Sequence, residues 1–348
     1  MITVKEIAKM CDVSPSTVSN ILNGKNNMTA ETKEKVLACI EATGYRPNYF
    51  AQGMRRQNNK TICIIAEEIC QFSTPQIVES IMMYCEKNGY RTIFINLGMY
   101  NKWDNKGIKV GSPDLIEENT KPAFLEAQAI RADGVIYVAA HGRALDVVPE
   151  NYDIPVIFAY GFSKDNKYKS IVIDDEESSR VLVEYLISMG HKKIGVVTGT
   201  KENYHTIERL KGFKNALKAH DIKYDPQNVI NGDWQRESGY NAAKELIKKD
   251  ITAIWCMNDV MALGAYDYLI ENNIKIGEDI SVIGFDDREI AAYAYPKLTT
   301  SAIMLDDIGI LSAKMIINEI EDSSYRKEKV APTRVVCKFI ERNSVKKI

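Results

Sequence analysis

The sequence predicts a mixed α/β protein: a small all-helical head, a short connecting segment, and a larger body in two lobes, each built on a doubly wound parallel sheet. Three observations carry that prediction. The stretch up to Tyr45 reads as three short helices with explicit start and stop signals. From Thr61 onward, short β-branched runs alternate with helical patterns. Finally, 348 residues that are 45% apolar and 26% charged can bury a sizeable core and exceed one mean domain, so two or three units are expected.

Composition also excludes several classes. The chain opens with no charged segment followed by a long apolar run, and no stretch approaches about 18 consecutive apolar residues, so secretion and membrane spanning lack support and the cytoplasm is the default. Seven cysteines (Cys11, Cys39, Cys63, Cys70, Cys85, Cys256, Cys337) are odd in number and lie mostly inside apolar runs. They never form C-x-x-C, which points to reduced core thiols and to neither metal nor disulfide use. The formal charge of −2 hides an asymmetry, because residues 1–60 hold nine basic against five acidic side chains. A head of +4 sits before a body of −6, a weak sign of an anionic partner for the head.

Each helix of the head is punctuated. Thr3 followed by Glu6 is a capping-box pattern, and Val4, Ile7, Ala8 and Cys11 recur at helical spacing to make one apolar stripe. "DVS" breaks that helix. Ser14 then caps a second with Pro15 at its first position, and Val18, Ile21 and Leu22 supply the buried stripe. Its remaining face is Ser16, Thr17, Ser19, Asn20 and Asn23. A third helix runs from a Thr29 cap through Val36, Leu37 and Ile40 to a stop at Gly44. Three short helices sharing a small core, the second with a face of small hydrogen-bonding residues, fit a helix-turn-helix that enters the major groove of DNA. The same pattern also fits a small helical subdomain in which those Ser and Thr residues are only caps.

The stretch "TVKEIAKMCDVSPSTVSNILNGKNNMTAETKEKVLACIEATGYRPNYFAQGMRR" resembles, along its whole length, the DNA-binding head of the lactose repressor (LacI) family of bacterial transcription regulators. "V-S-x-x-T-V-S-x-x-L-N", "T-x-E-K-V" and "G-Y-x-P-N" are specific in combination. By that resemblance Pro15, Ser16 and Asn20 read base edges, while Thr17, Ser19, Asn23 and Tyr45 hold the phosphate backbone and fix register. Ser14, Asn48 and Arg55 complete the DNA-facing set. Asn20 stands where Arg or His is common, and an amide pairs with adenine where Arg prefers guanine. The resemblance further places a minor-groove hinge helix at Asn48–Arg56, with Met54 as the apolar wedge that unstacks a central base step. Gly53 inside that segment lowers its helical propensity by about 1 kcal/mol relative to Ala. The implied units are residues 1–46 as helix-turn-helix, 47–60 as hinge and linker, and 61–348 as the effector-binding and dimerisation body.

Within the body, one series of strands and helices runs "TICIIA", "PQIVESIMMYCEKNGY", "RTIFINL", "FLEAQAIRADG", "VIYVAA" and "PVIFAYG". A second begins at "SIVIDD" and continues through "KIGVVTG", "NVINGDW", "AIWCMND" and "SVIGFDD". Residues 98–121 fit neither pattern and read as a surface insertion of unassigned role. "MGHKKIGVVTG", "ERLKGF", "NDVMALGA", "ISVIGFDD" and "PKLTT" resemble the type I periplasmic sugar-binding fold that the LacI family uses as its effector domain. That resemblance implies lobe 1 over about 61–160 and 301–321, and lobe 2 over about 161–300 and 322–342, the chain crossing near Tyr160, Thr300 and Asp322.

Open parallel sheets bind ligands beyond the carboxyl ends of their strands. Pattern alone puts Tyr160, Asn258, Asp259, Asp286 and Asp287 there. By resemblance Arg209, Trp234, Asn258 and Asp286 contact the effector, with Phe72 and Ile173 as apolar wall. Arg, Asn and Asp can share the paired hydroxyls of a sugar while an aromatic ring stacks on its C–H face. Tyr160 replaces the family's usual carboxylate or amide. Each residue also has a plain structural reading: Trp234 as core packing, Arg209 as a surface ion pair, Asp286 as a turn or helix cap.

An enzyme is not indicated. G-x-S-x-G, H-E-x-x-H, G-x-x-x-x-G-K-[ST] and a post-strand G-x-G-x-x-G are all missing from the sequence, and His141, His191, His205 and His220 show no ligand spacing. No cofactor is expected. The reading is a homodimeric transcription regulator, a repressor of carbohydrate-utilisation genes that binds a pseudopalindromic double-stranded operator and is controlled by a small polar effector, a sugar in the first instance and a nucleobase, nucleoside or other non-sugar metabolite in the second.

Overall fold

The computed structural model describes residues 2–22, 28–45, 59–100, 113–322, 324–325 and 331–348. It divides into two compact units, Met1–Asn59 and Lys60–Ile348.

The head contains α1 (Val4–Met10), α2 (Pro15–Leu22) and α3 (Ala30–Thr43). The capping box forms as expected, Glu6 reaching back to the Thr3 amide at 2.8 Å while the Thr3 hydroxyl accepts from the Glu6 amide. At the other end, Gly44 takes the left-handed conformation (φ 61°) and the Tyr45 amide donates to the Ile40 carbonyl, a Schellman-type stop. Ile7, Ala8, Cys11, Val18, Ile21 and Val36 make one small core. Leu37, read with the apolar stripe of α3, instead points outward at 45% exposure.

The body holds two parallel sheets. The first collects β1 (Thr61–Ala66), β2 (Arg91–Asn96), β3 (Gly134–Val138), β5 (Val156–Ala159), β7 (Ser170–Ile173) and β13 (Thr333–Val335), in the order β13-β7-β5-β3-β1-β2. Two-residue strands β4 (Ala144–Leu145) and β6 (Phe162–Ser163) pair beside it. The second sheet orders β8 (Ile194–Thr198), β9 (Val229–Asn231), β10 (Ala253–Cys256) and β11 (Ser281–Ile283) as β11-β10-β8-β9. Helices cover both faces: α4 (Thr74–Lys87), α5 (Pro113–Ala129) and α11 (Leu305–Glu321) on the first sheet, and α6 (Asp175–Ser188), α7 (Tyr204–Ala219), α8 (Arg236–Leu246) and α9 (Asp259–Glu271) on the second. A short α10 (Glu289–Tyr293) follows β11, and β12 (Thr300–Ala302) pairs antiparallel with β14 (Lys338–Ile340).

Strand pleating explains the layering. In β1 every residue is buried. Ile62, Ile64 and Ala66 join the core shared with Ile77, Ile81 and Ile316, whereas Cys63 and Ile65 face Phe124 and Ala127 of α5. Such two-sided burial is why parallel strands read as continuous apolar runs.

Two expectations are corrected. Ser170–Ile173, read as opening the second lobe, pairs with β5 (Phe158 with Ser170, Ala159 with Ile171), and β13 pairs with β7. The chain therefore leaves the first sheet after Ile173, not near Tyr160, and Thr333–Val335 belongs to lobe 1 although it falls within 322–342. A four-residue run of buried β-branched residues reads identically in either sheet, and only pairing decides. Part of the expected surface insertion is also helical: α5 begins at Pro113, contains Pro122, and buries Thr120 completely. An internal proline ordinarily reads as a break, which hid the first half of this helix.

Helices α8 and α9 meet backbone to backbone. A Cβ on Gly239 would stand 1.9 Å from the Met261 carbonyl oxygen, and one on Gly264 would stand 1.8 Å from that of Arg236. Neither neighbour is a flexible side-chain end. Gly264→Ala should therefore lower the unfolding free energy by about 1–3 kcal/mol or more, read as a lower urea midpoint, with an unchanged midpoint showing that the helices can separate freely.

Candidate functional site

In the head, α2 presents the polar face. The Ser14 hydroxyl caps the helix, accepting from the Thr17 amide at 3.1 Å, and lies 2.6 Å from the Ser16 and 2.8 Å from the Thr17 hydroxyl. Ser14, Pro15 and Ser16 are exposed, while Thr17, Ser19 and Asn20 are half-buried. Ser16 and Asn20 are four residues apart and share a stripe opposite Val18 and Ile21, which are buried. Tyr45 packs half-buried against the head's core. Lys5, Lys9, Lys33 and Lys35 are exposed. The other expected DNA-facing residues, Asn23, Asn48, Met54 and Arg55, lie outside the described residues, as does Gly53.

In the body, a cleft of about 750 Å³ opens between the two sheets. Its lining residues sit just past strand ends. On the first lobe Phe72 follows β1, Tyr100 follows β2, His141 follows β3 and Tyr160 follows β5. On the second, Thr200 follows β8, Trp234 follows β9, Asn258 follows β10, and Asp286 and Arg288 follow β11. Helix α7 adds His205 and Arg209. Both sheets thus aim their carboxyl ends at one crevice, the usual ligand position in such folds.

Arg209 forms the floor. It is only 2% exposed, yet its Nε donates to Asp175 Oδ1 at 2.7 Å, its Nη1 donates to the Met257 carbonyl, and Nη1 stands 3.5 Å from Asp286 Oδ1. The guanidinium carbon lies 3.6 Å from the centre of the Phe285 ring. Burial pulls its pKa down, but Asp175 and Asp286 outweigh that and hold it above the ordinary arginine value. Asp175 is fully buried, and its other oxygen accepts from His205 Nδ1 at 2.8 Å. Burial alone would push this carboxyl up; His205 and Arg209 together bring it below the usual value. His205 Nε2 in turn accepts from the Gly142 amide at 3.0 Å, across the cleft on lobe 1. A ring nitrogen that accepts an N–H is unprotonated, so His205 is the neutral Nδ1–H tautomer in this arrangement.

Asp286 differs from Asp175. It is 7% exposed by side chain, and no hydrogen-bond donor reaches its carboxylate among the described residues. Burial raises its pKa to about 6, against the lowering influence of Arg209 and Arg288. Its φ of 107° is joined by positive values at Tyr160 (67°) and Trp234 (73°), conformations that non-glycine residues hold only where the surroundings impose them. Trp234 lies flat over Gly199, where a Cβ would be 2.0 Å from the indole, and Asn258 Nδ2 donates to the Trp234 carbonyl at 3.0 Å. From lobe 1, Phe72 lies beneath the Arg288 guanidinium at 4.5 Å.

Six of the seven expected effector residues therefore line one cleft: Phe72, Tyr160, Arg209, Trp234, Asn258 and Asp286. Ile173 does not. It shares the side of β7 with Ile171 and is buried in the core with Ile157 and Ala159. Asp259 and Asp287, placed at strand ends by pattern, are structural: Asp259 accepts from Thr300 and the Arg288 amide, and Asp287 from Arg342. Sequence reasoning missed Asp175, His205, Tyr100, His141 and Arg288. For His205 a signal existed, since it stands one helical turn before Arg209 on the same face.

Known proteins share this two-part architecture. The model of bacterial regulatory proteins, lacI family, matches residues 3–48, and that of a periplasmic binding protein-like domain matches residues 183–345. The HTH-type transcriptional repressor PurR of Klebsiella pneumoniae subsp. pneumoniae is 29% identical over 350 residues, covering 99% of this chain and 97% of its own. The ribose operon repressor of Haemophilus influenzae is 26% identical over 341 residues, covering 97% and 98%. Among solved structures, the lac repressor dimer bound to operator and the anti-inducer ONPF superposes with a TM-score of 0.80 at 24% identity, over 99% of each chain. The chain thus joins a LacI-family helix-turn-helix head to a periplasmic-binding-protein-like body, the two-part organisation of a DNA-binding transcriptional repressor.

Proposed function

We propose that the protein is a cytoplasmic, homodimeric repressor that binds a pseudopalindromic operator through α2 and is controlled by a small polar effector in the inter-lobe cleft. The observation that carries this reading is the Arg209–Asp286 pair, buried at the meeting point of both sheets' strand ends with a carboxylate that lacks a donor. A sugar fits it best, because the cleft is lined almost wholly by polar and aromatic side chains, with Val260 as its one aliphatic member among the described residues. A nucleobase or nucleoside is the second reading, favoured by the resemblance to PurR. Dimerisation is supported by large apolar side chains left exposed on the body, notably Met83 (66%), Tyr293 (75%) and Tyr295 (90%), and by the poor specificity of a single head. No described helix is long and apolar enough to cross a membrane.

Operator binding is expected to weaken steeply with salt, since phosphate contacts release counterions. Removing residues 1–58 should abolish it, and Met54→Ala should weaken it while leaving effector affinity without DNA unchanged. Filter or fluorescence titrations at several salt concentrations check all three. A truncated protein that binds operator normally removes the assignment of the head.

For the cleft, Asp286→Asn is the sharper variant, because Arg209→Ala would also strip Asp175 and Met257 of a buried partner. Loss of the carboxylate should weaken effector binding by roughly 1.5–3 kcal/mol and leave effector-free operator affinity intact. The same change should stabilise the protein. A carboxyl whose folded pKa is raised contributes most below its unfolded value near 3.8 and loses that contribution as pH rises through about 6. Asp286→Asn should therefore melt a few degrees higher than wild type at pH 8 and show no such gain at pH 4. Equal melting temperatures at pH 8 would mean that the ionised carboxylate carries no penalty.

A further inference from the structure

The cysteines are not spread evenly through the fold. Cys85, Cys256 and Cys337 lie in the large core of the body, Cys63 in the smaller one, and Cys70 is exposed. The other two meet in the head. Cys11 closes α1 and is 1% exposed, while Cys39 packs half-buried against the same small core from α3. The Cys11 thiol donates to the Lys35 carbonyl at 3.8 Å. In an α-helix that carbonyl faces the amide four residues on, here that of Cys39, so the Cys11 sulfur stands against the turn of α3 that carries the second thiol. Burial, and after it the neighbouring Cys39 thiol, push the Cys11 thiol above its ordinary range. Spacing in the sequence could not show this pair, because the whole of α2 lies between its members.

The pair has the division of labour that a redox site needs. Cys39 is within reach of a small oxidant, and Cys11 is shielded, as an attacked and a resolving cysteine are. The chain between them contains all of α2, Pro15–Leu22. Cys11 also leads directly into the turn that sets where α2 begins, with Asp12 at φ 53° and the Ser14 cap just beyond.

Resting on the reading of the head as operator-binding, we propose that Cys11 and Cys39 are a redox-modification site: a peroxide converts the two thiols to a disulfide, and the oxidised head releases its operator. The Cys39 sulfur attacks one peroxide oxygen and the O–O bond breaks. The sulfur becomes a sulfenic acid, and the departing hydroxide takes up the thiol proton and leaves as water. The Cys11 sulfur then attacks the sulfenic sulfur, forming the S–S bond and breaking the S–O bond, and hydroxide leaves with the Cys11 proton as a second water. In all, two thiols give up two electrons and two protons, and one peroxide is reduced to two waters. A low-molecular-weight thiol reverses the change by exchange, itself ending as a disulfide. The S–S bond holds its sulfurs much closer than thiols in contact, and the core that must absorb this approach has six buried side chains among the described residues. The end of α1 is drawn toward α3, the start of α2 moves with it, and a recognition face tolerates displacements of only about 0.5 Å.

The test uses the full-length protein and a duplex that the reduced protein selects from a random-sequence pool. Treated with hydrogen peroxide, the wild type should yield a Cys11–Cys39 cross-linked peptide in mass spectrometry and bind the duplex about tenfold or more weaker. Dithiothreitol should restore both. Cys39→Ala places the best helix former in α3, and Cys11→Ala removes the partner; each should bind as the reduced wild type does and keep that affinity in peroxide. A wild type whose exposed Cys70 is oxidised while no cross-linked peptide forms would overturn the site. A cross-linked protein with unchanged affinity, or either variant losing affinity in peroxide as the wild type does, would overturn the switch. Failure of the head's reading looks different: the reduced protein would then select no duplex, whereas the cross-link is read by mass without DNA.

Discussion

One buried carboxylate, Asp175, fixes the geometry on which the whole cleft depends. It is the first residue of α6, reached immediately after the chain leaves the first sheet at Ile173, and it is fully shielded from solvent. An isolated carboxylate there would be costly to ionise, and so would an isolated guanidinium at Arg209. Paired, each makes the other tolerable, and the bond from Arg209 Nε sets the direction in which Nη1 points at Asp286. The second bond, to His205 Nδ1, fixes the imidazole tautomer and so creates the acceptor that the Gly142 amide uses. A link between lobes, a floor cation and a closed ring face all follow from one side chain.

Around this centre three wall residues hold conformations that bulky side chains rarely adopt. Tyr160, Trp234 and Asp286 all have positive φ, each at the end of a strand and each on the cleft wall. A strand end is where the ladder no longer dictates backbone direction, so a strained residue there disturbs only itself. Their surroundings hold them: Asn258 grips the Trp234 carbonyl, and the Asp286 amide donates to Ser301 at 2.9 Å. Strain, a buried carboxylate without a donor and a cation beneath it coincide at one place.

How much of this was legible in the sequence depended on whether the signal was local. Capping residues and turn glycines act over three or four positions, so Thr3, Ser14, Thr29 and Gly44 located the head's helices closely. Strands announced themselves by β-branched runs, and residues just past them, Tyr160, Asn258 and Asp286, could be placed at the cleft by the general rule for parallel sheets. Sheet membership is not local: nothing in "SIVI" says that Ser170 pairs with Phe158, and the side-chain alternation of that strand sends Ile173 into the core. Likewise, the role of Asp175 arises only when α6 and α7 pack together, and Pro122 hid the start of α5. The division between Asp286, facing the cleft, and its neighbour Asp287, tied to Arg342, is a matter of one backbone turn.

The same architecture connects the cleft to the place where the body begins. Helix α11 starts beside the second lobe, where the Ile303 amide donates to the Asp286 carbonyl at 3.4 Å, and then packs along α4 of the first. Seventeen residues long, it ends at Glu321, roughly 25 Å away at 1.5 Å per residue. There Glu321 accepts from Lys60 at 3.2 Å and from the Tyr90 hydroxyl at 3.3 Å, and the Lys60 ammonium also sits 4.1 Å from the centre of the Tyr90 ring. The exposed ion pair alone is worth little, but the helix itself is a stiff element held at both ends. One end is tied to the backbone of the cleft's open carboxylate and the other to the first residue of the body.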